Sequence, residues 1–346
     1  MAEKLITFTI PCYNSAEYMD HCIQTIIDGS AKRLDEIEVI IVDDGSMKDD
    51  TPAKADGWEA RYPGIIRAIH QENAGHGGAV NKGLANARGE FFKVVDSDDW
   101  LDEESLEAML DLIVAFEESS EEPIDIFLAN YVYEHVERGQ EVMDYKKSLP
   151  VGRPFGWSEI RKFGISRYIL MHSVIFRTSV LRDCGLRLPE HTFYVDNIFV
   201  YVPLPHAKRM MYLDLDLYRW FIGREDQSIN EKVMASRIEQ QLRVTRALID
   251  SYDLSSDIDE PKLAEYMGNY LAMMLAICSV FSLLSEREDK YELRAGIWDY
   301  LKVRNPNTYR FIRKNPLVLM SNSSSKSWGH VELFLYRIAQ KLFKFN

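Results

Sequence analysis

Apolar residues in the first part of this chain alternate between two periods. Residues 5–10 form a run of apolar and β-branched side chains ended by Pro11. Apolar positions then return at helical spacing over residues 15–27, at Tyr18, Cys22, Ile23, Ile26 and Ile27. The pattern predicts strand, loop, helix. A second, nearly continuous apolar run at 37–42 marks a strand buried on both faces, and it stops at Asp43-Asp44-Gly45-Ser46. A helix over 51–62, a third strand at 65–70, a glycine-rich loop through Gly78, a helix to Ala87 and a fourth strand at 90–95 follow. Strands alternating with helices at this spacing predict a largely parallel sheet with right-handed crossovers, which binds ligands beyond the carboxyl ends of its strands.

Residues 125–133 read as one further strand, and the mixed, Gly- and Pro-punctuated segments up to 230 are expected to complete the sheet. From 231 onward long helical stretches dominate, broken at 255–261 and at Asn315-Pro316. The expected organisation is an α/β domain over 1–230, in two halves at 1–105 and 106–230, and a helical region over 231–346. The uncharged stretch 266–284 is long enough to reach across a bilayer core. Gly268, Asn269, Ser279 and Ser282 interrupt it and no anchors flank it, so a buried helix is expected.

With 46% hydrophobic and 27% charged residues among 346, the composition is that of an ordinary folded protein. A net charge of −13 argues against nucleic acid as a partner, since nonspecific affinity for it comes from Lys and Arg displacing counterions. The charge is uneven. Residues 302–346 hold nine Lys/Arg against one acid, Glu332, and share that stretch with Leu333, Phe334, Tyr336, Ile338, Leu342, Phe343 and Phe345. A basic amphipathic helix on an acidic body has two readings: attraction to an anionic membrane surface, or packing on its own domain or a second subunit in a homo-oligomer. The four cysteines, Cys12, Cys22, Cys184 and Cys278, show no zinc spacing and read as buried free thiols. The N-terminus runs straight into a strand without an apolar leader, which makes the expected location cytoplasmic, with peripheral attachment to the inner face of the membrane if the tail binds lipid.

The unusual residues sit at strand ends: Pro11-Cys12-Tyr13-Asn14, Asp43-Asp44 and Asp96-Ser97-Asp98-Asp99. Three carboxylates within four residues cost electrostatic free energy unless a cation compensates them. Hard carboxylate oxygens suit Mg²⁺ or Mn²⁺, which complete their shells with substrate phosphates. A solvated, capped turn would also place acids there, but a second acidic cluster at a neighbouring strand end points to one crevice. The loop Glu72-Asn73-Ala74-Gly75-His76-Gly77-Gly78 matches neither a dinucleotide fingerprint nor a P-loop, yet its glycines and the helix start that follows suit an anion.

Taken together, Pro11-Cys12-Tyr13-Asn14, Val42-Asp43-Asp44-Gly45-Ser46, Glu72-Asn73-x-Gly75 with Asn81-Lys82-Gly83, and Asp96-Ser97-Asp98-Asp99 resemble, in order and spacing, the family 2 glycosyltransferases. The resemblance implies a GT-A fold, a Rossmann-like, mainly parallel sheet flanked by helices. It also implies a nucleotide-sugar donor, usually a UDP-sugar, a divalent metal, and inversion at the anomeric carbon. By the same resemblance Pro11, Tyr13 and Asp44 contact the nucleobase with Asn14 in their block, Asn73, Gly75 and Lys82 line the donor pocket, Asp96 faces ribose or metal, and Asp98 ligates the metal.

An inverting transfer needs a carboxylate base opposite the leaving diphosphate. The segment Phe193-Tyr194-Val195-Asp196-Asn197 resembles the family's acidic pair with Val195 in place of one acid, which leaves Asp196 as the base candidate, ahead of Glu190. The alternative for Asp196 is a helix N-cap starting at Asn197. Tyr194, His191 and Trp157 are candidates for an aromatic sugar platform or for core packing, and His191 is a candidate metal ligand. Tyr218-Arg219-Trp220 with Arg224 and Ser228 resembles the family's lid, in which Arg224, with Gln227 and Ser228, would meet the diphosphate. The expected function is transfer of a hexosyl or N-acetylhexosaminyl unit to a cell-envelope, capsular or lipid-linked glycan acceptor. The alternatives are a nucleotidyltransferase, or a non-catalytic glycan-binding protein on a transferase fold.

Overall fold

The structure is a computed structural model that describes residues 4–119, 122–136, 138–164, 167–223, 230–322 and 326–343, except the side chains of residues 326, 327, 335 and 339–343. The chain forms two compact units, Met1–Gly223 and Arg224–Asn346. In the first, β1 (Lys4–Cys12), α1 (Met19–Gly29), β2 (Ile37–Asp43), α2 (Thr51–Arg61), β3 (Ile66–His70), α3 (Gly75–Asn86) and β4 (Gly89–Val94) follow the predicted alternation. They are succeeded by β5 (Trp100–Leu101), α4 (Glu103–Ser119), β6 (Ile126–Leu128), β7 (Tyr131–His135), β8 (Gly139–Met143), β9 (Pro154–Phe155), β10 (Val174–Arg177), α5 (Thr178–Asp183), α6 (Asp196–Tyr201), β11 (Met210–Tyr212) and β12 (Tyr218–Ile222).

An eight-stranded sheet runs β3-β2-β1-β4-β10-β6-β11-β9, and a four-stranded sheet runs β5-β12-β7-β8. The β3-β2-β1-β4 half is parallel throughout, while β10 is antiparallel to both of its neighbours. All of β2 is buried, as its unbroken apolar run requires, and Glu38 within it survives at 0% exposure because Thr7, Arg67 and Arg88 all bond its carboxylate.

The predicted single strand at 125–133 is two strands in two sheets. Asn130 sits between them, buried, where its amide donates to Asp214 and Asp216 and its oxygen accepts from the Tyr212 hydroxyl. A buried polar side chain that must collect these partners turns the chain out of the large sheet. Helix α3 lies against β1 through Gly83, where an added Cβ would fall 2.2 Å from the Thr9 Cγ2.

The second unit comprises α7 (Glu231–Ser236), α8 (Ile238–Ser251), α9 (Pro261–Leu284), α10 (Lys290–Arg304), α11 (Pro306–Ile312), α12 (Pro316–Ser321) and α13 (Lys326–Phe343). Asn305 and Asn315 cap α11 and α12, each followed by the proline that opens a helix; the break at Asn305 is one the apolar pattern did not show. By length and composition α9 would cross a membrane, but here most of it is buried. Its polar positions have work inside the unit. Gly268 leaves room for Phe311, Asn269 accepts from Asn315, and Ser279 accepts from the Trp298 indole at 3.0 Å. Cys12, Cys22 and Cys278 are buried free thiols, and Cys184 is half-buried.

The α3–β1 approach is testable. Gly83→Val forces its side chain into buried Thr9 and should cost about 2 kcal/mol, lowering Tm by roughly 4–8 °C. Gly57→Ala, where the added methyl meets nothing within 4 Å, should leave Tm unchanged or raise it slightly.

Candidate active site

Each parallel strand delivers a loop to the same edge of the sheet, and side chains tie these loops together. Beyond β1, the Asn14 N–H donates to the Ser46 hydroxyl, while Asn14 Oδ1 accepts from the Lys48 N–H after β2. Asn14 has φ +49°, and Tyr13 beside it is 51% exposed. Pro11 pairs within the sheet opposite Val42. Asp44 is buried, and its carboxylate accepts from the N–H groups of Ala74 and Gly75, at 2.8 Å each, and from the Gln71 amide. Its carbonyl accepts from the Asn73 amide. Asp44 therefore holds the entry to α3, and Gly75 at φ +76° allows the turn.

Helix α3 in turn clamps the later loop. The Asn81 amide makes both bonds of a backbone pair with Leu188, and the His191 N–H donates to the Ala74 carbonyl at 2.7 Å. A Cβ on Gly75 or Gly77 would strike the backbone of His191 or Pro189. Among the described residues the non-glycine positions at positive φ are Asn14, His191 and Tyr194, all in these two loops. Strained backbone of this kind gathers where a site over-determines it. Lys82 is exposed on α3.

At the end of β4, Asp96 bonds His76 Nε2 at 2.8 Å and lies 4.0 Å from His172 Nε2. Burial works to raise the Asp96 pKa, but the charge and hydrogen bond of His76, then His172 and Lys93, outweigh it and hold the carboxyl below its ordinary value. Lys93 is fully buried in β4, donates to the His172 carbonyl at 2.9 Å and lies over the Tyr218 ring. Burial pulls its pKa down to about 7, against the opposing charge of Asp96. Asp99 is buried and accepts from the Tyr218 hydroxyl at 2.7 Å and from the Phe221 N–H at 2.9 Å, binding β12 to the cluster. Burial first, then Asp98 and Asp96, push its pKa well above the carboxylate range. Asp98 is half-buried.

His172 is stacked on Trp220 at 4.0 Å and edge-on to Tyr218. Burial lowers its pKa to about 4, which keeps the imidazole neutral with a lone pair to offer, and its buried Nδ1 has no hydrogen-bond partner. Ligand atoms of Asp96, Asp99 and His172 lie within 4.8 Å of one another. Carboxylates beside a neutral imidazole are a donor set that fits Mn²⁺ or Mg²⁺. Neither Asp98 nor His191 is in that group, and His191 is exposed.

Asp196 opens α6. The residue before it, Val195, is in the N-cap position and makes no side-chain cap bond, so the cap expected at Asp196 is displaced by one residue. Burial raises the Asp196 pKa to about 6, with His76 pulling it down and Asp96 pushing it up. Asp96, His76 and Asp196 thus sense one another electrostatically. Glu190 is exposed. Trp157 is no sugar platform: it is buried and its indole donates to the Ala207 carbonyl. Arg219 pairs with Asp102 and Glu134. Arg224, Gln227 and Ser228 lie outside the described residues. His172 and Lys93 were not singled out from the sequence, His76 entered only within the glycine-rich loop, and Tyr218 only as the start of the segment that resembles a lid. A histidine within a glycine-rich loop was the one available signal, for His76.

The model of glycosyl transferase family 2 matches residues 7–170. The chain is 29% identical to EpsH of Bacillus subtilis (strain 168) over 225 residues, which is 60% of this chain and 62% of that one. It is 32% identical to glycosyltransferase GlyG of Streptococcus pneumoniae serotype 4 over 129 residues, 37% and 39% of the two chains. It is also 33% identical to the minor teichoic acid biosynthesis protein GgaA of Bacillus subtilis over 109 residues, 31% and 24%. The chain spans less than two thirds of the length of each of these relatives. Among solved structures, S. aureus TarS residues 1–349 in complex with UDP-GlcNAc superposes with a TM-score of 0.68 at 19% identity, covering 97% of this chain and 92% of that one. At that identity the likeness shows the fold, which is GT-A. The part of this chain that resembles glycosyl transferase family 2 is residues 7–170.

Proposed function

We propose that the chain is an inverting glycosyltransferase that moves a sugar from a UDP-linked donor to a hydroxyl of a cell-envelope or lipid-linked glycan, with Asp196 as the general base. The observation that carries this reading is the position of Asp196 at the start of α6, just after the loop that α3 clamps through Asn81 and Leu188, with His76 and Asp96 close enough to act on its pKa. A carboxylate half-buried and raised to about 6 is ionised at neutral pH, yet more basic than an ordinary Asp. A UDP donor is supported by the GT-A likeness to TarS, whose structures hold UDP and UDP-GlcNAc. An envelope glycan is supported by the partial match to a teichoic acid biosynthesis protein.

Exposed Tyr13, with half-buried Asn14 and after buried Pro11, would offer a face for the nucleobase, and the Asp44-held loop of Asn73 and Gly75 would close that side, with Lys82 further along α3. Asp96, Asp99 and His172 are the donors grouped to hold the cation, and Asp98 is the ligand that the family resemblance adds to them. When bound, a divalent ion neutralises charge on the departing diphosphate. Asp196 takes the acceptor hydroxyl's proton as that oxygen attacks the anomeric carbon, and the sugar–phosphate bond breaks with its electron pair going to UDP. Arg224 and Ser228 remain candidates for closing over the diphosphate.

Asp196→Asn should retain UDP-sugar binding within about threefold by calorimetry while losing transfer by a factor of roughly 10²–10⁴; wild-type turnover in this variant removes the base assignment. Because the base must be ionised, kcat/KM should rise with pH along one limb near pH 6, moved lower by the positive charge of a bound cation. His76→Gln removes a charge that lowers the Asp196 pKa, so the limb should shift to higher pH, and an unmoved limb contradicts the coupling. Asp96→Ala should weaken Mn²⁺-dependent UDP binding at least about tenfold, read by titration with and without EDTA.

A further inference from the structure

The second unit contains a helix that is amphipathic in the wrong sense for one that only packs on its own domain. The inward side of α13 carries Gly329, against Leu283 at 3.3 Å, Glu332, paired with buried Arg294 at 2.5 Å, and Tyr336, whose ring meets Phe281. The outward side carries Val331, Phe334 and Ile338, three to four residues apart and therefore on one face, with Phe334 65% exposed. Leu319 in α12 is 64% exposed as well, and α12 is joined to the start of α13 by the Trp328 indole, which donates to the Met320 carbonyl at 2.7 Å. An apolar face turned outward on a helix already anchored by its other face marks an interaction surface.

The charge around it selects the occupant. Residues 302–346 contain nine basic residues and a single acid, Glu332, which is buried in its pair with Arg294; Arg337 is paired with Glu231 and Arg304 with Asp250, while Arg313 and Lys314 are exposed on the chain leading into α12. Two copies meeting isologously through this face would bring like charges together, whereas an anionic bilayer presents negative headgroups above an apolar layer. We propose that the outer face of α13, with Leu319, Arg313 and Lys314, docks on an anionic phospholipid surface, the apolar side chains entering the headgroup boundary and the basic ones meeting the lipid phosphates.

The test is co-sedimentation of the full chain with vesicles of phosphatidylcholine alone and with about 30% phosphatidylglycerol. Binding is expected to the second only and to weaken with added salt. Phe334→Glu with Ile338→Glu, both exposed positions, should reduce the bound fraction by roughly tenfold or more without lowering Tm. Arg313→Glu with Lys314→Glu should do the same through charge alone. Donor hydrolysis in all variants is expected to match the wild type, which separates loss of docking from loss of the transferase site. Wild-type chain that stays in the supernatant with anionic vesicles overturns the proposal. So does Phe334→Glu with Ile338→Glu sedimenting as before, or turning a dimer into a monomer in ultracentrifugation with vesicle binding unchanged, which would assign the face to a second copy.

Discussion

Three carboxylates within four residues at the end of a buried strand repel one another, and the first unit is organised around containing that repulsion. Asp96 is met by the His76 imidazole, with Lys93 buried within electrostatic reach. Asp99 is met by a tyrosine hydroxyl and a backbone N–H from β12. These partners come from α3, β4 and β12, elements distant in sequence, so compensating the cluster also fixes where those elements lie. A buried lysine is costly, since desolvation alone moves its pKa by several units. Its place beside Asp96 makes sense only as part of the same balance.

The neutral character of His172 follows from that balance. Surrounded by Tyr131, Tyr218 and Trp220 and close to Lys93, its imidazole is held uncharged, so it adds a lone pair to the cluster without adding to the positive charge that His76 already brings. The two histidines flanking Asp96 are thereby separated in role by environment: one stabilises the carboxylate as an ion, the other is available as a neutral donor.

The parallel half of the sheet was legible because each strand there is short, nearly all apolar and ended by Pro, Asp or Gly, and because α3 and its glycines lie between two such strands. The acidic motif was legible because it stands at a strand end, whereas Asp196 was picked out by the resemblance of its segment to a family motif. Asn130 was not, since a single polar residue inside an apolar run reads as a pleat position until Tyr212, Asp214 and Asp216 are brought to it from about eighty residues away. His172 and Lys93 are one-residue departures from apolar patterns, and only the tertiary structure brings them beside Asp96. Asp44 shows the converse. Its position was readable, but its carboxylate is occupied by the backbone of the α3 loop, which ties any role toward a nucleobase to the shape of that loop.

Both units follow one rule about where polar groups are placed, and the second shows its less familiar consequence. A charged group turns inward only where a partner waits, and once it does, the outward face is free of that constraint. Glu332 cannot leave Arg294 without stranding a guanidinium that is 2% exposed, a loss on the order of 3–5 kcal/mol. Gly329 fits closely, since an added Cβ would lie 3.3 Å from the Leu283 side chain, which would have to give way. Together they set the rotation of α13 about its axis. Its apolar side chains face outward because its inward positions are already committed to a glycine, an ion pair and a tyrosine, and this is what gives the basic end of the chain an apolar surface.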